Sequence, residues 1–64
     1  MCQMSIYVKE EDVEKCVMEN ATSLAVSGDQ VTIATLFDEP KEISGVRVQS
    51  IDFLSGRLVL QKQE

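Results

Sequence analysis

Apolar and polar residues alternate with a period of two along most of this chain, the pattern of a β-strand with one buried face. The alternation is clearest over residues 2–9 and 30–37. Turn-forming residues interrupt it at 27–29, 38–40 and 54–56, where Gly, Asp, Ser and Pro gather. Short alternating segments between such turns predict an all-β fold.

About five or six strands at this spacing indicate a small antiparallel SH3-like barrel or a strongly twisted antiparallel sheet. The phase of the alternation slips between Val48 and Ile51, which predicts a β-bulge near residues 49–50. Residues 11–18 also allow one short helix as an alternative to a strand. The side chains predicted to point mainly inward are Val31, Ile33, Phe37, Val48, Ile51, Leu58 and Leu60.

The length of 64 residues predicts a single small β domain over residues 1–64. A chain of this size buries only about 60% of the surface that its unfolded form exposes, so its core is small. Such cores are commonly supplemented by a cross-link or by a partner chain. We therefore expect a homodimer.

The composition excludes several classes of function. The chain has no histidine, the commonest general base and metal ligand, and we expect no enzymatic activity. Its net charge is −5 and its six Lys and Arg residues lie apart in the sequence, so we expect no nucleic-acid partner. No apolar run approaches the roughly 18 residues of a membrane span, so we expect no membrane association. The first residues do not resemble a secretory signal, which predicts a cytoplasmic protein with reduced thiols.

Cys2 is the residue with the most interesting chemistry. It either continues the apolar face of the first strand as a small hydrophobic residue, or it ligates a metal. A thiolate beside the α-amine and ionisable backbone amides can chelate a borderline or soft divalent metal. With Met1 retained, the donors are the Met1 amine, the Cys2 amide and the Cys2 thiolate. Two chains meeting here would offer a set suited to square-planar Ni(II) or Cu(II). Cys16 is interpreted as a core or edge thiol, and the methionines Met4 and Met18 as packing residues.

Several segments together resemble one known family. They are the opening Met1-Cys2, residues 16–19, residues 28–39 with their Thr-Leu-Phe-Asp-Glu stretch, residues 45–52 and residues 58–60. The chain resembles the CooT family of small nickel-binding accessory proteins associated with maturation of carbon monoxide dehydrogenase, and the resemblance covers almost the whole chain.

The resemblance implies a homodimer that binds one Ni(II) per dimer through Cys2, with nitrogen donors from Met1 or the backbone. It also implies a nickel-enzyme client such as carbon monoxide dehydrogenase. Two alternatives stay open. The same family has been described as RNA-binding, which would make the chain a small RNA-binding β-barrel, and a metal-free protein-interaction module would need no ligand at all.

Overall fold

The computed structural model describes residues 3–63, which form strands and turns without a helix. The all-β prediction is confirmed, and the alternative of a helix over residues 11–18 is wrong because residues 13–18 are extended. The strands are β1 (Met4–Glu10), β2 (Val13–Ser27), β3 (Gln30–Thr35), β4 (Lys41–Ser44), β5 (Val46–Asp52) and β6 (Arg57–Lys62).

The six strands form one sheet in the order β4-β3-β2-β1-β6-β5. Four neighbouring pairs are antiparallel, whereas β1 and β6 run parallel. The first and last strands are therefore neighbours near the middle of the sheet. Over residues 3–63 the outermost strands, β4 and β5, each pair with one neighbour, so the sheet is open and does not form the SH3-like barrel that was one of the predicted alternatives.

The long strand β2 bends and pairs with a different neighbour on each side of the bend. Residues 13–18 pair mainly with β1, and residues 21–27 pair with β3. Between them Asn20 has a φ of 61°, a left-handed conformation that Asn tolerates better than most residues. The bend turns β3 back across the sheet until it approaches β5. The Asp29 carbonyl accepts hydrogen bonds from the N–H groups of Gly45 (2.9 Å) and Val46 (3.2 Å), which fixes this curl.

The core lies inside the curl. Of the residues predicted to point inward, Val31, Ile33, Leu58 and Leu60 are buried, and Val48 is half-buried against them. Residues that come from every strand except β4 form the buried cluster: Ile6, Ala21, Val31, Ile33, Val46, Leu58 and Leu60.

Two of the predicted core residues are exposed. Phe37 is 81% exposed because β3 ends at Thr35, so the alternation no longer describes a strand at residue 37. Ile51 is 45% exposed because it lies near the end of the edge strand β5, in an open pocket. The predicted bulge is confirmed: the register of β5 against β6 shifts between Val48 and Ser50.

Candidate functional site

Met1 and Cys2, the predicted nickel ligands, lie outside the described residues, so the site is described from Gln3 onward. Gln3 lies beside the β5–β6 turn at residues 53–56. The N–H of Ser5 donates a hydrogen bond of 2.8 Å to the Gly56 carbonyl. A Cβ atom added to Gly56 would stand 3.2 Å from the Gln3 carbonyl oxygen, so the two backbone segments are in close contact. The residue covalently joined to Cys2 is thus held against this turn.

An aspartate organises the turn. The Oδ1 atom of Asp52 accepts hydrogen bonds from the backbone N–H groups of Leu54 (3.0 Å) and Ser55 (3.2 Å). These bonds, above all the one from Ser55, hold the pKa of the Asp52 carboxyl below its usual value. The turn is closed by Gly56 at a φ of 71°, a conformation that favours glycine. The close contact with Gln3 is therefore part of an ordered turn.

The end of the sheet at which the chain starts is apolar and open. Phe53 is 76% exposed and Leu54 is fully exposed. Beside them a pocket of about 400 Å³ opens between β2, the end of β5 and the start of β1. Its lining includes Met4, Leu24 and Ile51, with buried core residues forming its floor. Exposed apolar surface of this kind is typical of a contact region. We call residues 3–4, 51 and 53–56 the chain-start surface.

The second cysteine lies elsewhere. Cys16 is free and exposed on β2, opposite Tyr7, and its Sγ atom is 3.8 Å from the Met18 carbonyl oxygen. Tyr7 is four residues beyond Gln3, which corresponds to about 13 Å along a strand. Cys16 is therefore remote from the chain-start surface. Met4 and Met18 pack against the core, as predicted.

No group of three or more His, Cys, Asp or Glu side chains suitable for a metal occurs within residues 3–63. The predicted donor set, the Cys2 thiolate with nitrogen from Met1 or the backbone, is one whose chemistry suits Ni(II). Sequence reasoning did not predict the exposed apolar turn beside Gln3: Phe53 and Leu54 are exposed because β5 ends at Asp52 and both residues lie in the turn that follows.

Three cations that are distant in the sequence line the same groove. Lys15, Lys41 and Lys62 line one groove, at the end of the sheet away from Gln3. The sequence showed no basic cluster because the three residues belong to β2, β4 and β6, and only the curl of the sheet brings those strands together.

Fold and site define a small all-β protein in which Gln3 lies at an open, apolar end of a curled sheet. The chain belongs to the CooT family: the family model described as "CO dehydrogenase accessory protein CooT" matches residues 1–61. The structure is similar to one described as "putative CooT from Carboxydothermus hydrogenoformans", with a TM-score of 0.85 and 17% sequence identity. That match covers 98% of this chain and 100% of the other, and it shows the likeness of the folds.

No curated protein matches the chain. In the part of the chain that the structure describes, no helix has the length and apolar character that a membrane span needs.

Proposed function

We propose that this protein is a nickel-binding accessory protein that binds Ni(II) as cargo for a nickel enzyme such as carbon monoxide dehydrogenase. The observation that carries the proposal is the family match, which begins at Met1, includes Cys2 and belongs to a family described as accessory to CO dehydrogenase. In this proposal the chain handles the metal and catalyses no reaction of its own.

The proposed ligands are the Cys2 thiolate together with the Met1 amine or backbone nitrogen. One chain supplies a single thiolate at its start, so two chains complete the square-planar set and one Ni(II) binds per dimer. Soft thiolate and nitrogen donors suit Ni(II) and Cu(II), and intrinsic affinity favours copper at such a site. Nickel selectivity in the cell would then come from metal supply or from the geometry of the dimer.

The proposed homodimer forms through the chain-start surface. Phe53 and Leu54 are largely exposed apolar side chains of the turn that contacts Gln3, and burying such a side chain contributes about 1.5–3 kcal/mol. A two-fold interface there would bring the starts of two chains together. This arrangement supports the ligand set, because the apolar contact and the thiolates would lie at the same end of the molecule.

The same proposal covers location and other partners. An exposed free thiol at Cys16 is compatible with the reducing cytoplasm. A net charge of −5 disfavours RNA, because nucleic-acid affinity depends on cations that displace phosphate counterions. We therefore propose a cytoplasmic protein that binds no nucleic acid and no membrane.

The test is a Ni(II) titration of the wild type, Cys2→Ser and Cys16→Ser, followed by native mass spectrometry and near-ultraviolet absorption. We expect one Ni(II) per dimer and a thiolate-to-nickel charge-transfer band in the wild type and in Cys16→Ser. Cys2→Ser should lose both. Affinity should rise with pH until the thiol and the amine, whose ordinary pKa values are about 8.5 and about 7.7–8.0, are deprotonated.

Cys16→Ser is the matched control, since it removes the other thiol of the chain without touching the chain-start surface. Undiminished nickel binding by Cys2→Ser, or loss of nickel by Cys16→Ser, would show that the ligand is misassigned. A wild type that stays monomeric with and without nickel at micromolar concentration would refute the shared site.

A further inference from the structure

The groove lined by Lys15, Lys41 and Lys62 is shaped like a site that binds an extended strand. Its volume is about 460 Å³, within the range of about 300–1,000 Å³ that is common for ligand sites. All residues of β4, Lys41–Ser44, line it. Successive side chains of a strand point to opposite faces, so consecutive lining residues mean that the groove follows the edge of the strand.

That edge is unpaired among the described residues, because β4 pairs with β3 alone. The facing wall includes Val13, Lys15 and Val17, alternate residues of one face of β2. This part of β2 also has one strand partner only, β1, within residues 3–63. The groove is therefore the gap left where the curled sheet does not close. Unpaired strand edges of this kind accept an added strand.

The charges along the groove favour an acidic occupant. Three of the six Lys and Arg residues of this acidic protein line it and are exposed, together with two carboxylates, those of Glu10 and Glu42. Glu42 accepts a hydrogen bond from Gln30 Nε2 at 2.8 Å. Lys62 is paired with Glu10 at 3.7 Å. Over residues 3–63, neither Lys15 nor Lys41 lies within salt-bridge distance of a carboxylate. Two cations are thus available for a ligand.

The groove wall is apolar between these cations. Val13 and Val17 on β2 and Ile43 on β4 contribute its apolar lining, and Val13 is 56% exposed. An extended segment has two faces, so one face could cover this wall while the other presents carboxylates to the rim. Backbone hydrogen bonds to β4 would supply affinity, and the side chains would supply selectivity.

We propose that this groove binds an extended peptide segment of another protein, with alternating apolar and acidic residues, as an additional strand beside β4. The site is independent of the proposed nickel site. Glu10 lies at the end of β1 that lines the groove, and Met4 lies at the opposite end, in the chain-start surface. At the rise per residue of a strand, these two residues are about 20 Å apart.

The test uses a fluorescent synthetic peptide in which Glu and Val alternate, and measures its binding to the full chain by anisotropy. Two further peptides serve as probes: an N-methylated version, which lacks backbone donors on one edge, and a version with Lys in place of Glu. We expect the first peptide to bind and the other two to fail. Amide chemical shifts should change in β4 and in residues 13–17 and stay constant at residues 3–5.

The protein variants are Lys15→Glu and Lys41→Glu, with Lys9→Glu as the matched control. Lys9 lies on β1 outside the groove, so its replacement makes the same change in net charge. Each groove variant should raise the Kd about fivefold, the upper end for an exposed ion pair, and Lys9→Glu should leave it nearly unchanged.

Several outcomes would overturn the proposal: no binding of the Glu–Val peptide, equal binding of its N-methylated version, or equal weakening by Lys9→Glu. A sedimentation experiment gives a further outcome that would overturn it. If Lys41→Glu dissociates a dimer, a second copy of the chain occupies the groove instead of a foreign peptide. Cys2→Ser should bind the peptide as the wild type does, so failure of the nickel proposal leaves this test readable.

Discussion

The substitution Gly56→Ala, which adds a single methyl group, should test how closely the β5–β6 turn packs against Gln3. Gly56 has a φ of +71°, a conformation that costs an L residue about 1–2 kcal/mol. The new Cβ would also meet the Gln3 carbonyl oxygen at 3.2 Å. That oxygen cannot retreat freely, because the Ser5 N–H is bonded to the Gly56 carbonyl at 2.8 Å. Gly56→Ala should therefore lower the free energy of unfolding by about 2–3 kcal/mol, more than the conformational cost alone.

Gly28→Ala is the matched control for that measurement. Gly28 has a similar φ of +61°, but an added Cβ there meets no heavy atom within 4 Å. Its cost should be the conformational part only, about 1–2 kcal/mol. Urea unfolding gives both values, and each kcal/mol corresponds to a fall in Tm of about 4–8 °C for a domain of this size. Equal losses for the two variants would refute the argument from the contact with Gln3.

The remaining predictions concern the same end of the sheet. Asp52→Asn should be less stable than the wild type at pH 7, because the lowered pKa of Asp52 means that its ionised form stabilises the fold. The stability advantage of the wild type should disappear as the pH falls below 3.8. A stability difference that does not depend on pH would contradict this reasoning. Leu54→Asp should weaken the proposed dimer in sedimentation experiments, whereas Val26→Asp, at an apolar residue with 56% exposure away from the chain-start surface, should not; equal effects would place the interface elsewhere.

Alternation and turn residues predicted the fold class, the turns and the bulge, because those features are local. They did not indicate that β1 and β6 pair in parallel, since a pattern of period two fixes which face is buried but not which strand is the neighbour. The bend at Asn20 was equally hard to predict. A left-handed residue inside a strand, such as Asn20, leaves no signal in hydrophobic periodicity.

For the candidate site, the sequence led to a prediction of its ligands and to none of their surroundings. Cys2 was singled out because a thiolate beside the α-amine and backbone amides can chelate a divalent metal, and that prediction concerns a residue outside the described part of the chain. The surroundings could not be predicted. Phe53 is exposed because β5 ends at the residue before it. Lys15 and Lys41 line the same groove because the sheet is curled. Both features are consequences of tertiary structure.

The position of β1 gives the proposed nickel site a rigid base. Ends of chains are usually poorly ordered unless a sheet holds them, and β1 is held on both sides, by β2 and by β6. Ile6, in the middle of β1, is 1% exposed and belongs to the core cluster. Separating β1 from its neighbours would therefore open the core, so the strand should open only with the whole domain. If Cys2 is the ligand, as we propose, it is joined through Gln3 to a strand that contributes to the core, and nickel exchange would not need to disturb the fold.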